Sequence, residues 1–388
     1  MLELVALLLP IAAASGWYIA RRDIRRQQSG HRPDLSSDYF KGLNFLLNEQ
    51  PDKAIEVFIQ MLEVDSETVE THLALGNLFR RRGEVDRAIR IHQNIIARPT
   101  LSRSQRSLAL YELGQDYMRA GLLDRAENLF QELIELGEYK TEALKQLLEI
   151  YEQEKDWSKA VEIARSYESV TGERTHAVIA HYYCEQAEVA MSQHDVRAAQ
   201  QAIKKALAAD KSCVRASLLL GKLESSSGDC KSAIRAYRNI ENQDAGYISE
   251  AIAPLEKCYR SMANLPEYRQ YLEGILQKYG GVTAMLALAE LIKSEQGDRS
   301  AMQFIIEQLR KRPSVRGLER LVAYNMQNTE GPARENMQIL GHLIKKLSTL
   351  KSSYKCQSCG FEAKAMHWHC PSCKRWNSVK PLQDIVEN

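Results

Sequence analysis

The sequence predicts an all-α chain, a right-handed solenoid of repeated helix pairs with one further apolar helix before it and a small cysteine-bearing module after it. Two observations carry that prediction. Val69 to Pro99 divides into two apolar-periodic segments, split by Gly83-Glu84 and stopped by Pro99. The same pattern then returns at a 34-residue step along most of the chain. One helix hairpin cannot bury its apolar face alone, so the copies are needed to build a continuous core.

Composition agrees. The 388 residues are 44% hydrophobic and 26% charged, which excludes a disordered chain and supplies a core. Twenty Gly and ten Pro are few, favouring helices over a β-sandwich. A net charge of +2 lacks the basic excess of a dedicated nucleic-acid binder, so no nucleic acid is expected as a partner. Four of the eight Cys sit in one C-terminal cluster and four are scattered. That distribution points to a metal site in a reducing, cytosolic compartment rather than to disulfides.

Leu4 to Ala20 is seventeen residues without a charge, followed by Arg21, Arg22, Arg25 and Arg26. The length is at the short end of what spans a bilayer, and Trp17 and Tyr18 sit where an aromatic belt lies. A cleaved signal peptide has a basic start; this one begins Met-Leu-Glu3. Residues 1–20 are therefore expected to be an uncleaved transmembrane anchor with its N-terminus outside and the bulk cytoplasmic. Residues 21–34 form a basic linker.

In the repeat beginning at Val69, small Gly76 and Ala88 are expected to let the two helices cross closely, with Phe79 and Ile95 filling the gap. Other copies begin at Leu35, Ser107, Thr141, Ala180, Val214, Ile248, Val282 and Arg316, with longer joins at Pro99–Arg106 and near Gly172–His176. Leu75-Gly76, Phe79, Ala88 and Pro99 resemble the signature of the tetratricopeptide repeat, so about nine such repeats are expected over 35–350. On that register Tyr39, Leu43, Leu46, Asn77, Arg80, Tyr111, Gln115 and Met118 would line a protein-binding groove. Cys184, Cys213, Cys230 and Cys258 have no ligand spacing and read as small hydrophobes, and His176, His181 and His194 as surface or packing residues. The repeats hold no Gly-rich phosphate loop, nucleophile elbow or His-Glu-x-x-His, so the chain is not expected to be an enzyme.

Residues 351–388 form the last module. Cys356-x2-Cys359, ten residues, then Cys370-x2-Cys373 is a four-thiolate metal-ligand spacing. Gly360 supplies the positive φ that such a knuckle needs, and Pro371 stiffens the second. The flanking residues look like rubredoxin knuckles. Zinc is preferred to iron, because the short separation leaves little room for a shielded redox core. His367 and His369 are expected to be non-ligands. Trp368, Trp376 and Phe361 either pack the ribbon onto the last repeats or face a partner. The basic residues Lys351, Lys355, Lys364, Lys374, Arg375 and Lys380 read as a solvated face.

The stretches MLELVALLLPIAAASGWYIARR, LGNLFRRRGEVDRAIRIHQ and YKCQSCGFEAKAMHWHCPSC resemble the lipopolysaccharide assembly protein B family of Gram-negative bacteria. The resemblance runs from end to end and implies a non-enzymatic inner-membrane adaptor facing the cytoplasm. It implies regulation of lipopolysaccharide biosynthesis by promoting degradation of the lipid A-committing deacetylase LpxC through the FtsH protease. It also implies the gathering of lipopolysaccharide assembly and transport proteins at the membrane. The family's metal ligands fall on Cys356, Cys359, Cys370 and Cys373. From the residues alone, a rubredoxin-like electron-transfer protein and an RNA-binding ribbon on a repeat scaffold stay open.

Overall fold

A computed structural model describes residues 69–327, 329–350 and 352–382, with 40–42, 44, 45, 50, 53 and 57. The expected anchor at 1–20, the linker at 21–34 and most of the first repeat, Tyr39, Leu43 and Leu46 included, lie outside the described residues. Among the described residues no helix is long and apolar enough to cross a membrane. The chain divides into two compact units, 1–150 and 151–388.

The first unit holds α1 (Val69–Arg81), α2 (Val85–Ile96), α3 (Arg103–Ala120), α4 (Leu123–Leu136) and the start of α5 (Lys140–Glu154). The turn inside six of the described repeats has a common construction. The residue closing the first helix takes a left-handed conformation, at Gly83, Gly121, Lys155, His194, Gly228 and Ala263. At three of these turns the next residue, Asp156, Asp195 or Asp229, caps the second helix by accepting its N3 backbone N–H. The longer join before α3 ends in a capping box between Ser102 and Gln105.

Close crossing is visible where the repeat places glycine. A Cβ on Gly76 would stand 2.3 Å from His92 Nε2, one on Gly114 2.7 Å from Phe130, and one on Gly221 2.4 Å from Tyr237. Each pair is sixteen residues apart, so the large side chain one helix later fills the space that the missing side chain leaves. Ile95 instead packs with Val69, Leu73 and Ala109, and Phe79 with Leu75 and Ala88. The side chain over Gly76 is His92, a polar ring at the repeat position where the other two copies carry Phe130 and Tyr237.

His92 belongs to a buried polar cluster. Its Nδ1 lies 2.5 Å from Asp116 Oδ2, and Arg80 donates to Asp116 Oδ1 at 2.8 Å and to Glu112 Oε2 at 2.6 Å. Asp116 and His92 are fully buried. Of the residues expected to line a groove, Arg80 is thus tied into an ion-pair network and Gln115 donates to Tyr111 Oη at 3.3 Å. Asn77 and Met118 are half-buried.

The second unit continues with α6 (Trp157–Thr171), α7 (His176–Ser192), α8 (Val196–Ala209), α9 (Val214–Ser226), α10 (Cys230–Arg238) and the short α11 (Ile240–Gln243). A 3-10 turn at Ala245–Tyr247 leads to α12 (Ile248–Ser261), α13 (Leu265–Lys278), α14 (Val282–Gln296), α15 (Asp298–Lys311), α16 (Val315–Gln327) and α17 (Pro332–Leu350). One continuous core runs from Val214 through Tyr259 and Leu288 to Tyr324. Cys184, Cys213 and Cys258 are buried within this unit and Cys230 is half-buried. His181 is buried, while His176 is an exposed ion-pair partner of Glu168 at 2.7 Å.

Candidate metal centre and its docking site

After α17 the chain forms three short antiparallel strands, β1 (Tyr354–Cys356), β2 (Glu362–Ala363) and β3 (Val379–Pro381), in the order β2-β1-β3. The register pairs Lys355 with Glu362 and with Lys380. Two knuckles of the same design hang from this sheet. Cys356 N–H donates to Phe361 O at 2.8 Å and accepts Gly360 N–H on its own carbonyl at 3.0 Å. Cys370 N–H donates to Arg375 O at 3.0 Å, and its carbonyl accepts Lys374 N–H at 2.9 Å. Gly360 has φ 78°, as its place after the first pair predicts, and Lys374 takes the same left-handed turn at 57° after the second. Only one of the two turns therefore shows itself by a glycine.

The knuckles bring all four cysteine sulfurs within 4.8 Å of one another. Cys356 Sγ stands 3.7 Å from Cys373 Sγ, and Cys359 Sγ 3.8 Å from Cys370 Sγ. A tetrahedral ion with bonds of about 2.3 Å to sulfur requires about 3.8 Å between sulfurs, so the donor set fits one such ion. Electrostatics prepare the first knuckle for it. The Ser378 hydroxyl, with the backbone N–H groups of Cys359 and Ser358, pulls the Cys356 thiol down to about 6. Phe361 N–H lowers that of Cys359. Arg375 N–H acts the same way on Cys373, but burial and the neighbouring thiols outweigh it and push that thiol up to about 11. Four thiolates so close repel one another, and a cation at their centre removes the conflict. His367 and His369 stay out of the cluster: His367 lies edge-on to Phe361, and His369 Nε2 hydrogen-bonds Lys374 O at 2.8 Å.

A module this small has little core of its own, here Cys356, Cys370 and Val379 with a few half-buried neighbours. Its remaining apolar surface is buried on the repeats. Trp376 enters an aromatic pocket, edge-on to Trp157 and Tyr182 at 6.2 and 5.8 Å and stacked on His181 at 5.3 Å. His369 covers its outer face at 4.5 Å. Its indole N–H donates to Glu152 Oε1 at 2.8 Å, which also accepts the Tyr182 hydroxyl at 2.6 Å. Trp368 stacks on Tyr247 at 5.4 Å, and the Tyr247 hydroxyl reaches Val379 O at 3.0 Å and Asn377 Oδ1 at 3.1 Å. Tyr354 donates to Glu250 at 3.0 Å, and Lys380 pairs with Asp244 at 2.8 Å.

Burial, then the Arg215 charge, push the His181 pKa down to about 3, so the ring is a neutral plate between two tryptophans. Glu250 is raised by burial, which the Tyr354 hydrogen bond offsets in part.

These contacts refine three expectations. The ribbon seats on α5, α6, α7, the 244–247 turn and α12 rather than on the last repeat helices. Trp368 and Trp376 are spent on that contact, whereas Phe361 packs inside the ribbon. Lys380 is an ion-pair partner rather than a solvated charge, while Lys364, Lys374 and Arg375 are exposed. Glu152, Tyr182, Asp244, Tyr247 and Glu250 carry no motif that marks them. The one available signal is an excess of tyrosine and tryptophan at positions where the repeat consensus asks for neither.

Stacked helix pairs of this register, ending in a four-cysteine ribbon, define a tetratricopeptide repeat protein with a rubredoxin-type module. Residues 354–381 match the family described as rubredoxin metal binding domain, and residues 71–104, 111–173 and 184–247 match tetratricopeptide repeat families. Lipopolysaccharide assembly protein B of Escherichia coli (strain K12) is 40% identical over 386 residues, covering 99% of this chain and 99% of that protein. The Haemophilus influenzae protein of the same name is 37% identical over 398 residues, covering all of both chains. The chain belongs to the lipopolysaccharide assembly protein B family. Among solved structures, a tetratricopeptide repeat protein from Parabacteroides merdae is 13% identical, with a TM-score of 0.31 over 72% of this chain and 99% of that one.

Proposed function

We propose that this chain is a non-enzymatic, membrane-tethered adaptor that regulates lipopolysaccharide assembly from the cytoplasmic face of the inner membrane. The observation that supports it most is the full-length relation to lipopolysaccharide assembly protein B, repeats and ribbon alike. On this reading residues 1–20 are the anchor, and a tether of that kind raises the effective concentration of membrane-bound partners near the repeats. The partners are the FtsH protease and the deacetylase LpxC, whose proteolysis the adaptor promotes, together with lipopolysaccharide assembly and transport proteins.

Cys356, Cys359, Cys370 and Cys373 hold one metal ion, and zinc is preferred over iron. The ion supplies cross-links rather than chemistry: it closes the two knuckles and so preserves the surface that Trp368 and Trp376 present to the repeats.

Crosslinking in the native membrane, followed by purification of the full chain and identification of what accompanies it, tests the adaptor reading. Recovery of FtsH together with LpxC supports it. Recovery of neither, with electron-transfer proteins instead, overturns it. Metal analysis of the same preparation distinguishes zinc, colourless and stoichiometric, from iron with visible absorption.

A further inference from the structure

Two of the scattered cysteines meet in one surface hollow of the second unit. Cys230 opens α10 and is half-buried, while Cys258 lies in the last turn of α12 and is 1% exposed. Both line the hollow, with Ser225, Ser261, Lys231 and Lys257 around them. Ser261 donates its hydroxyl proton to Cys258 O at 2.9 Å, so at 3.0 Å from Cys230 Sγ it accepts from that thiol. The Cys258 thiol donates to Ser225 Oγ at 3.6 Å. Burial raises the Cys258 thiol above its ordinary value, the Ser225 hydroxyl opposes that, and the Cys230 thiol adds to it as an immediate neighbour. Neither sulfur belongs to the four-cysteine cluster of the ribbon.

The arrangement divides two tasks. Cys230 can be reached from solvent, and Cys258 is covered, with Cys230 beside it. Lys231 and Lys257 give the hollow a positive lining that an anionic reagent complements, while Asp229 on the same rim is occupied in capping α10. We propose that Cys230 and Cys258 form a reversible thiol–disulfide site, closed by a small anionic disulfide of the glutathione class. The Cys230 thiolate attacks one sulfur of the reagent, whose S–S bond breaks, and one half leaves and takes up the proton that Cys230 gave up. Cys258 then loses its proton and attacks the Cys230 sulfur of the mixed disulfide; the Cys230–Cys258 bond forms and the second half leaves with that proton. Two protein thiols are thus oxidised by two electrons, and one reagent disulfide is reduced to two thiols. The new bond ties α10 to α12, the helix that carries Glu250 beneath the ribbon. In a reducing compartment the pair rests as thiols and closes only when the oxidised reagent accumulates.

The test uses the full-length, metal-loaded chain in mild detergent, equilibrated in glutathione buffers of increasing oxidised share. Samples are quenched with acid, alkylated and read by peptide mass spectrometry. The expected product is a Cys230–Cys258 linked peptide pair that reductant releases. Cys258→Ala and Cys258→Ser, with circular dichroism unchanged, should each stop at a glutathione adduct on Cys230. That adduct should need a buffer at least about tenfold richer in the oxidised form, because no neighbouring thiol is there to complete the exchange. Cys230→Ala should leave Cys258 unmodified. Any of four results overturns the proposal: Cys230 reduced at every ratio, Cys230 linked to a cysteine other than Cys258, an adduct as persistent in the parent as in Cys258→Ala, or Cys258 modified in the Cys230→Ala chain.

Discussion

The Trp376 indole N–H donates to Glu152 Oε1 at 2.8 Å across 224 residues of sequence, and the Tyr182 hydroxyl donates to the same oxygen at 2.6 Å. One carboxylate oxygen therefore holds the ribbon and braces the helix beneath it. Glu152→Ala leaves two buried donors unpaired and is expected to cost about 1–3 kcal/mol. Glu152→Gln keeps an acceptor and should cost less. Trp376→Ala empties the aromatic pocket and should cost about 3–5 kcal/mol. Thermal unfolding of the three variants, with limited proteolysis near residue 351 as a second readout, checks the order. Equal stability of Glu152→Ala and the parent would refute it.

In the first unit, Asp116 is fully buried between Arg80 and His92. Replacing it by Ala leaves the Arg80 guanidinium with Glu112 alone and His92 without its partner. A destabilisation of about 3 kcal/mol or more is expected, as for removal of one member of a buried charge pair. Gly76→Ala should destabilise the same helix pair by about 1–3 kcal/mol, because its Cβ meets the His92 ring. The two substitutions act through one imidazole, so their effects should not add. Denaturant unfolding of single and double variants measures the coupling.

These cases show what the sequence made legible. The 34-residue step marks where helices begin, as at Val214, Ile248 and Val282, because periodic burial is written in local side-chain size. The spacing of Cys356, Cys359, Cys370 and Cys373 announces a tetrahedral sulfur site because two tight turns suffice to build it. The docking of the ribbon was not legible. It depends on Trp376 meeting residues around positions 152–182, and on Tyr247 meeting Val379, pairings that no local pattern encodes. His92 was missed for a related reason: the repeat asks for bulk at that position, and a histidine supplies it only because Asp116 lies within reach.

Metal affinity should depend on pH. Binding needs thiolates, so protons leave as the ion enters and affinity falls as pH falls. Cys356, lowered to about 6, keeps its thiolate furthest into acid, whereas Cys373, raised to about 11 while the site is metal-free, must surrender a proton throughout the neutral range. Competition with a chromophoric chelator between pH 8 and about pH 6 should show a steady loss of affinity toward acid. Stripping the metal should also shift the emission of Trp368 and Trp376 to the red, as the ribbon unfolds and leaves its aromatic seat. Cys370→Ser should reproduce that shift without a chelator. An unchanged emission spectrum after complete removal would show that docking alone holds the ribbon.

Glu250 offers a pH test of the docking surface itself. Its carboxyl is raised above the usual range by burial, with the Tyr354 hydroxyl donating to it at 3.0 Å and opposing the shift. For a group raised in the folded state, the stabilising contribution is complete below its unfolded value and is lost as pH rises through the folded one. Once ionised, then, Glu250 works against the seated ribbon. Glu250→Gln retains an oxygen for Tyr354 and carries no charge, so it should melt at a slightly higher temperature than the parent at pH 7. The advantage should shrink as pH is lowered toward the carboxylate range. Tyr354→Phe, which removes the donor and leaves the buried carboxylate uncompensated, should lower the melting temperature at pH 7 and do so less in acid. Parallel melting curves of all three proteins across that range, without convergence, would place the ribbon's pH dependence elsewhere than at this pair.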